Sequence, residues 1–149
     1  YGPESHLGRT VKLPAEPGEE YPALVSDLDE DGNEIAGIRL PDLSVPLATY
    51  SGWNLRHPDN GNPGLVIGIT GGLAGWTVPF AGTRELRETG GDGRLSIEER
   101  YESKVDNLGK VDDAISELVD ERYILEEDIQ HVKAQASLRY DYWTTVREP

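Results

Sequence analysis

The sequence predicts one domain in two unlike parts. An irregular Gly/Pro-rich β and loop part with one hairpin covers residues 1–94, and a helical part ending in a helical hairpin covers residues 95–149. Three observations lead there. Of the 17 glycines, 16 lie in residues 1–93, and of the 10 prolines, nine lie in residues 1–79. Both residue types interrupt helices and central strands, so the first part should be short strands, turns and ordered loops. Beyond residue 94, a helix-capping signature is followed by apolar residues at three-and-four spacing, the mark of helices with one buried face. The length, 149 residues, fits a single domain of ordinary size.

Taken in order, Leu7 to Leu13 is one short extended run. Tyr21-Pro-Ala-Leu-Val-Ser-Asp27 and Glu34-Ile-Ala-Gly-Ile-Arg-Leu40 read as two strands, and Asp31-Gly32-Asn33 between them is turn chemistry, so residues 21–40 form a predicted β-hairpin. Pro41 and Pro46 frame Asp42 to Val45, read as extended but outside any central strand. Residues 57–64 read as a surface loop and Leu65 to Thr70 as a short buried strand. The glycines of 71–75 suit a close backbone crossing.

In the second part, the Ser96 hydroxyl can accept from the Glu99 N–H while the Glu99 side chain reaches back to the Ser96 N–H, so a helix should begin at Ile97. A longer helix is expected from about Lys104 to Arg122. Val105, Leu108, Val111, Ile115, Leu118 and Val119 form its apolar face. Gly109 weakens its middle by about 1 kcal/mol. The last helix, from roughly Glu126 to Tyr142, has acidic residues at its positive N-terminal end and buries Ile129, Val132, Ala136 and Tyr140.

Composition narrows the function. There are 28 acidic side chains against 14 basic ones, a formal net charge of −14. Phosphate binding needs a basic surface, so a nucleic-acid partner is disfavoured, as is docking on an anionic membrane. No apolar run approaches the roughly 18 residues needed to span a bilayer, so a soluble chain is expected. Cysteine is absent, which removes disulfides, thiol nucleophiles and cysteine zinc sites. The chain starts at Tyr1 and contains no methionine, as expected of a processed product or a piece of something longer.

Several motifs carry possible chemistry. Asp27-x-Asp29-x-Asp31-Gly32 resembles the first half of a calcium loop, which makes Asp27, Asp29 and Asp31 candidate calcium ligands. The second half departs from that pattern, because Ile38 stands where the bidentate glutamate belongs. The alternative is an acidic hairpin turn. His6, His57 and His131 form no i, i+4 metal pair. Gly-x-Ser-x-Gly is absent, and Ser51 in Tyr50-Ser51-Gly52-Trp53 suits a tight turn better than a nucleophile. Gly71-Gly-Leu-Ala-Gly75 has no phosphate-loop lysine. The densest group of large and polar side chains is Thr49 to Arg56. Within it Tyr50, Trp53, Asn54 and Arg56 are candidate substrate-binding residues, and a core role is the competing reading.

Residues 21–56 carry a resemblance, through Asp29-x-Asp31-Gly-Asn-Glu34, Ala36-Gly-Ile-Arg-Leu-Pro41 and Val45-Pro-Leu-Ala-Thr-Tyr50-x-Gly-Trp-Asn-Leu-Arg56. Pro79-Phe80-Ala81-x-Thr83-Arg84, Ser96-Ile97-Glu98-Glu99-Arg100-Tyr101 and Leu125-x-Glu127-Asp128-Ile129 extend it. In these stretches the chain resembles the C-terminal region of a bacterial family of large, little-characterised α/β-hydrolase domain proteins. Trp76-Thr-Val78 departs from the expected approach to Pro79.

The resemblance implies an α/β hydrolase-like fold of which this chain is the C-terminal portion. It also implies serine hydrolase chemistry on a small ester-like substrate, and a secreted or periplasmic location. In that family the nucleophilic serine and the catalytic histidine lie upstream of the matched region, so no residue here inherits those roles. The expected partner is the N-terminal remainder of the hydrolase, or a separate chain carrying it. Loops this long are fixed by packing on a larger body, because each ordered residue costs roughly 1–2 kcal/mol of backbone entropy. Residues 1–94 are therefore expected to wrap around an α/β core supplied by another segment. A non-catalytic ligand-binding or structural module, with calcium as an optional ligand, is the alternative. A third is an acidic, salt-adapted scaffold with no ligand.

Overall fold

A computed structural model describes residues 24–54, 57–60 and 75–145. Its elements are α1 (Pro41–Ser44), β1 (Ala48–Ser51), a 3-10 turn (Pro58–Asn60), β2 (Trp76–Pro79), α2 (Arg84–Gly90), α3 (Ile97–Arg100), α4 (Lys104–Asp120), a second 3-10 turn (Glu126–Asp128) and α5 (Ile129–Thr145).

The turn of the expected hairpin is present, but among the described residues its strands are not; residues 21–23 of the first lie outside them. Gly32 takes a left-handed φ of +78°, and the Asp29 N–H donates to the Asn33 carbonyl at 2.8 Å. The Asp29 carboxylate accepts the N–H groups of Asp31 and Asn33 at 3.0 and 2.9 Å, closing the loop with a side chain. Among the described residues the ladder then stops at one antiparallel bridge, Leu28 with Glu34. Gly37, at φ +88°, turns the chain aside, and Arg39 is held by the Asp29 carboxylate at 2.7 Å and the Leu43 carbonyl at 2.6 Å. Residues 42–45 are not extended: Pro41 starts α1, since its fixed φ and missing N–H suit a first helical position.

Among the described residues the two strands are β1 and β2, paired antiparallel with Ala48 opposite Pro79 and Ser51 opposite Trp76. A Cβ on Gly75 would lie 2.4 Å from the Ser51 carbonyl oxygen, so glycine permits the close crossing where β2 begins. The first part also contains a helix where only strands and loops were expected. The Thr83 hydroxyl accepts from the Leu86 N–H to start α2, and Gly91 in the left-handed region ends it. The predicted runs at Leu7–Leu13 and Leu65–Thr70, and most of the 57–64 loop, lie outside the described residues.

The capping box forms as expected, and α3 begins at Ile97. The Ser103 side chain caps α4, which packs against α5 as the predicted helical hairpin. Val111, Ile115 and Leu118 are buried, whereas Val105, assigned to the same face, is 80% exposed. Gly109 is exposed with open space beside it, so no packing contact offsets its cost in helix propensity. Tyr140 and Trp143 of α5 lie against a core cluster of Leu47, Phe80, Ile97 and Tyr101, which joins residues from both sides of position 94. Many apolar side chains stay in solvent, including Leu24 at 91% and Leu138 at 62% exposure. Among the described residues, no helix is long and apolar enough to cross a membrane.

Glu99 makes the α3 cap sensitive to pH. Its carboxylate accepts from the Ser96 hydroxyl at 2.7 Å, the Ser96 N–H at 3.0 Å and Arg87 at 2.8 Å. The Ser96 side chain contributes most, then its backbone N–H; together with Arg87 they outweigh burial and hold the pKa at about 2 against an ordinary 4.5. A depressed folded-state pKa gives stability that is complete above pH 4.5 and drains as pH falls toward 2. Glu99→Gln should therefore melt below the wild type at neutral pH, with the gap closing across that window. A gap constant from neutral pH down to pH 2 would show that ionised Glu99 adds nothing.

Candidate functional site

Strand alternation divides the residues around β1 between two faces. Thr49 and Ser51 of β1, with Trp76 and Val78 of β2, line one cleft of about 580 Å³. The chain after β1 adds Trp53 and Asn54, the turn adds Glu30, Asp31 and Gly32, and Arg94 enters from the segment before α3. Two of the four expected binding residues, Trp53 and Asn54, thus meet here. Tyr50 does not. It sits half-buried on the other face, beside Asn107 of α4 and Arg139 of α5, and burial raises its hydroxyl pKa. Arg56 lies outside the described residues.

Paired charges build the cleft. Arg94 grips Asp92 through both carboxylate oxygens, at 2.9 and 2.6 Å, and donates to Thr49 Oγ1 at 2.7 Å and the Val78 carbonyl at 3.0 Å. Hydrogen bonding from Arg94, against burial, holds the Asp92 carboxyl below its usual range. Arg100 holds Asp31 at both oxygens, one of them at 2.7 Å. Phe80 lies beneath both arginines, with guanidinium-to-ring distances of 5.1 Å for Arg94 and 4.1 Å for Arg100. The two hydroxyls are also committed. Thr49 donates to the Asp31 carbonyl, and Ser51 donates to the Trp53 carbonyl while accepting the Trp53 N–H at 3.2 Å.

Asn33, the residue that ends the turn, is fully buried and joins the turn to β1. Its amide donates to the Ala48 carbonyl at 3.1 Å and accepts the Tyr50 N–H at 2.7 Å. The side chain thereby stands in for a neighbouring strand.

The three candidate calcium ligands serve other partners. Asp27 Oδ1 takes the Leu28 N–H at 3.0 Å, Asp29 holds the turn and Arg39, and Asp31 holds Arg100. Burial raises the Asp29 pKa, but hydrogen bonds from the Asn33 N–H, Arg39 and the Asp31 N–H outweigh it and leave the group more acidic than usual. Among the described residues, no group of three or more His, Cys, Asp or Glu is placed to hold a metal ion.

Nor does any serine there hydrogen-bond a histidine. Ser51 is engaged with Trp53, and His57 stands 3.5 Å from the Asp59 carboxylate with both exposed. The sequence reading missed Glu30, Thr49, Trp76 and Arg94 as cleft residues. Asp92-Gly-Arg94 reads as a turn, and no local spacing ties it to Thr49, 45 positions earlier.

Residues 8–134 match the model of a family described as "Alpha/beta hydrolase domain". No curated protein and no solved structure matches the chain.

Proposed function

Because the chain belongs to the alpha/beta hydrolase domain family, we propose that it is the C-terminal part of a serine hydrolase cleaving an ester or related acyl bond. In this reading a segment outside the chain supplies the nucleophilic serine, the histidine base and the larger α/β core. The chain completes the fold, and its cleft forms part of the substrate site through Trp53 and Asn54. The observation that carries the reading is the cleft itself. It is open and faced by two indoles, with its hydroxyls tied up in structural hydrogen bonds, which suits binding rather than nucleophilic attack. The apolar side chains left in solvent, Leu24 and Leu138 among them, support packing against a larger body.

The test is to treat the full-length protein from which this chain derives with a serine-directed fluorophosphonate and map the label by peptide mass. The label should fall on a serine outside these 149 residues. Trp53→Ala should raise KM for short-chain esters more than it lowers kcat. Labelling of Ser51, or no labelling together with no esterase activity, would overturn the proposal.

A further inference from the structure

We infer that the cleft between the Asp29–Asn33 turn and the β1–β2 ribbon recognises an ammonium group, either quaternary or a protonated amine. The inference rests on the hydrolase reading only in calling the bearer of that group a substrate; the binding itself stands on the cleft.

Charge bookkeeping at the cleft supports it. Two ionised side chains besides Glu30 line this surface, and each is neutralised: Arg94 by Asp92, and Asp31 by Arg100. Glu30 is exposed and, among the described residues, has no ion-pair partner, so the cleft carries one net negative charge. Two indoles share that surface, Trp53 and the 44% exposed Trp76. Indole faces attract cations more strongly than other aromatic rings, and an aromatic wall beside a carboxylate suits a large, weakly hydrated cation. The overall charge of −14 would also draw cations toward the protein.

The same inventory limits what the cleft offers a neutral polyol. Such a ligand needs several free donors and acceptors, but Thr49 and Ser51 are already bonded within the chain and Arg94 is saturated. Asn54, Glu30 and the indole N–H groups of Trp53 and Trp76 are the polar groups left in the cleft without a hydrogen bond among the described residues.

The test is titration of the full-length protein that carries this chain with choline, followed by tryptophan fluorescence and calorimetry. The control is choline's neutral isostere, in which a quaternary carbon replaces the nitrogen. Choline should bind saturably and at least roughly tenfold more tightly than the isostere. Glu30→Gln and Trp76→Phe should each weaken binding by roughly threefold to tenfold, and both positions are exposed enough for the variants to fold. Glu102→Gln, on the surface away from the cleft, controls for charge alone and should bind as the wild type does. Equal binding of choline and the isostere, no saturable binding, or an equal loss in Glu102→Gln would overturn the inference. Saturable choline binding without a labelled serine in the full-length protein would remove the hydrolase reading and keep the ammonium site; a labelled serine without choline binding would do the reverse.

Discussion

Phe80→Ala should lower stability by about 3–5 kcal/mol, the usual loss for deleting a buried ring. For a chain of this length that corresponds to a fall in Tm of roughly 6–20 °C. The residue is 3% exposed and packs with Leu47, Ile97 and Tyr101, so truncation opens a cavity where the two parts of the chain meet. The ring also underlies the Arg94 and Arg100 guanidinium groups. Removing it therefore loosens the ion pairs to Asp92 and Asp31 that shape the cleft. Phe80→Leu separates the contributions. Leucine restores most of the volume but offers no π face, so it should recover part of the lost stability and leave the arginines more mobile. Urea denaturation of both variants measures this, and a Phe80→Leu protein as stable as the wild type would show that the ring acts by volume alone.

Asn33→Ala should cost about 2–5 kcal/mol. Alanine leaves the Ala48 carbonyl and the Tyr50 N–H without their partner, and each buried unpaired polar group costs roughly 1–3 kcal/mol. Asn33→Asp distinguishes the two bonds. Aspartate still accepts the Tyr50 N–H but sets a carboxylate oxygen against the Ala48 carbonyl, so it should be destabilised at neutral pH and partly relieved in acid, where it regains a donor. Equal stability of Asn33→Ala and wild type in urea would mean that water replaces the amide at both positions.

These residues show what could be read from the sequence. The Ser96–Glu99 box, the turn at Asp29–Asn33 and the α4–α5 hairpin depend on partners within a few residues or on a period along one helix, and each is present. Pro41 reads in the sequence as the border of an extended stretch, Asp42 to Val45, although proline equally starts a helix, as it does here. Glu34–Leu40 has strand-like composition, but Gly37 and the anchored Arg39 turn it away from a ladder. Thr83 and Gly91 bracket α2 with ordinary capping chemistry, obscured by the glycine density around them. The cleft was the least legible part. Arg100 meets Asp31 across 69 positions and Arg94 meets Thr49 across 45, and such pairs exist only once the fold brings them together.

The Asn33 amide has a consequence for assembly. The Ala48 carbonyl and the Tyr50 N–H are two of the groups through which β1 would accept a further strand on its free margin, and both are occupied from within the chain. That margin is blocked at its centre. On that margin a neighbouring element meets the ribbon through side chains more readily than through a continued backbone ladder, and the same block guards it against fibril-like stacking.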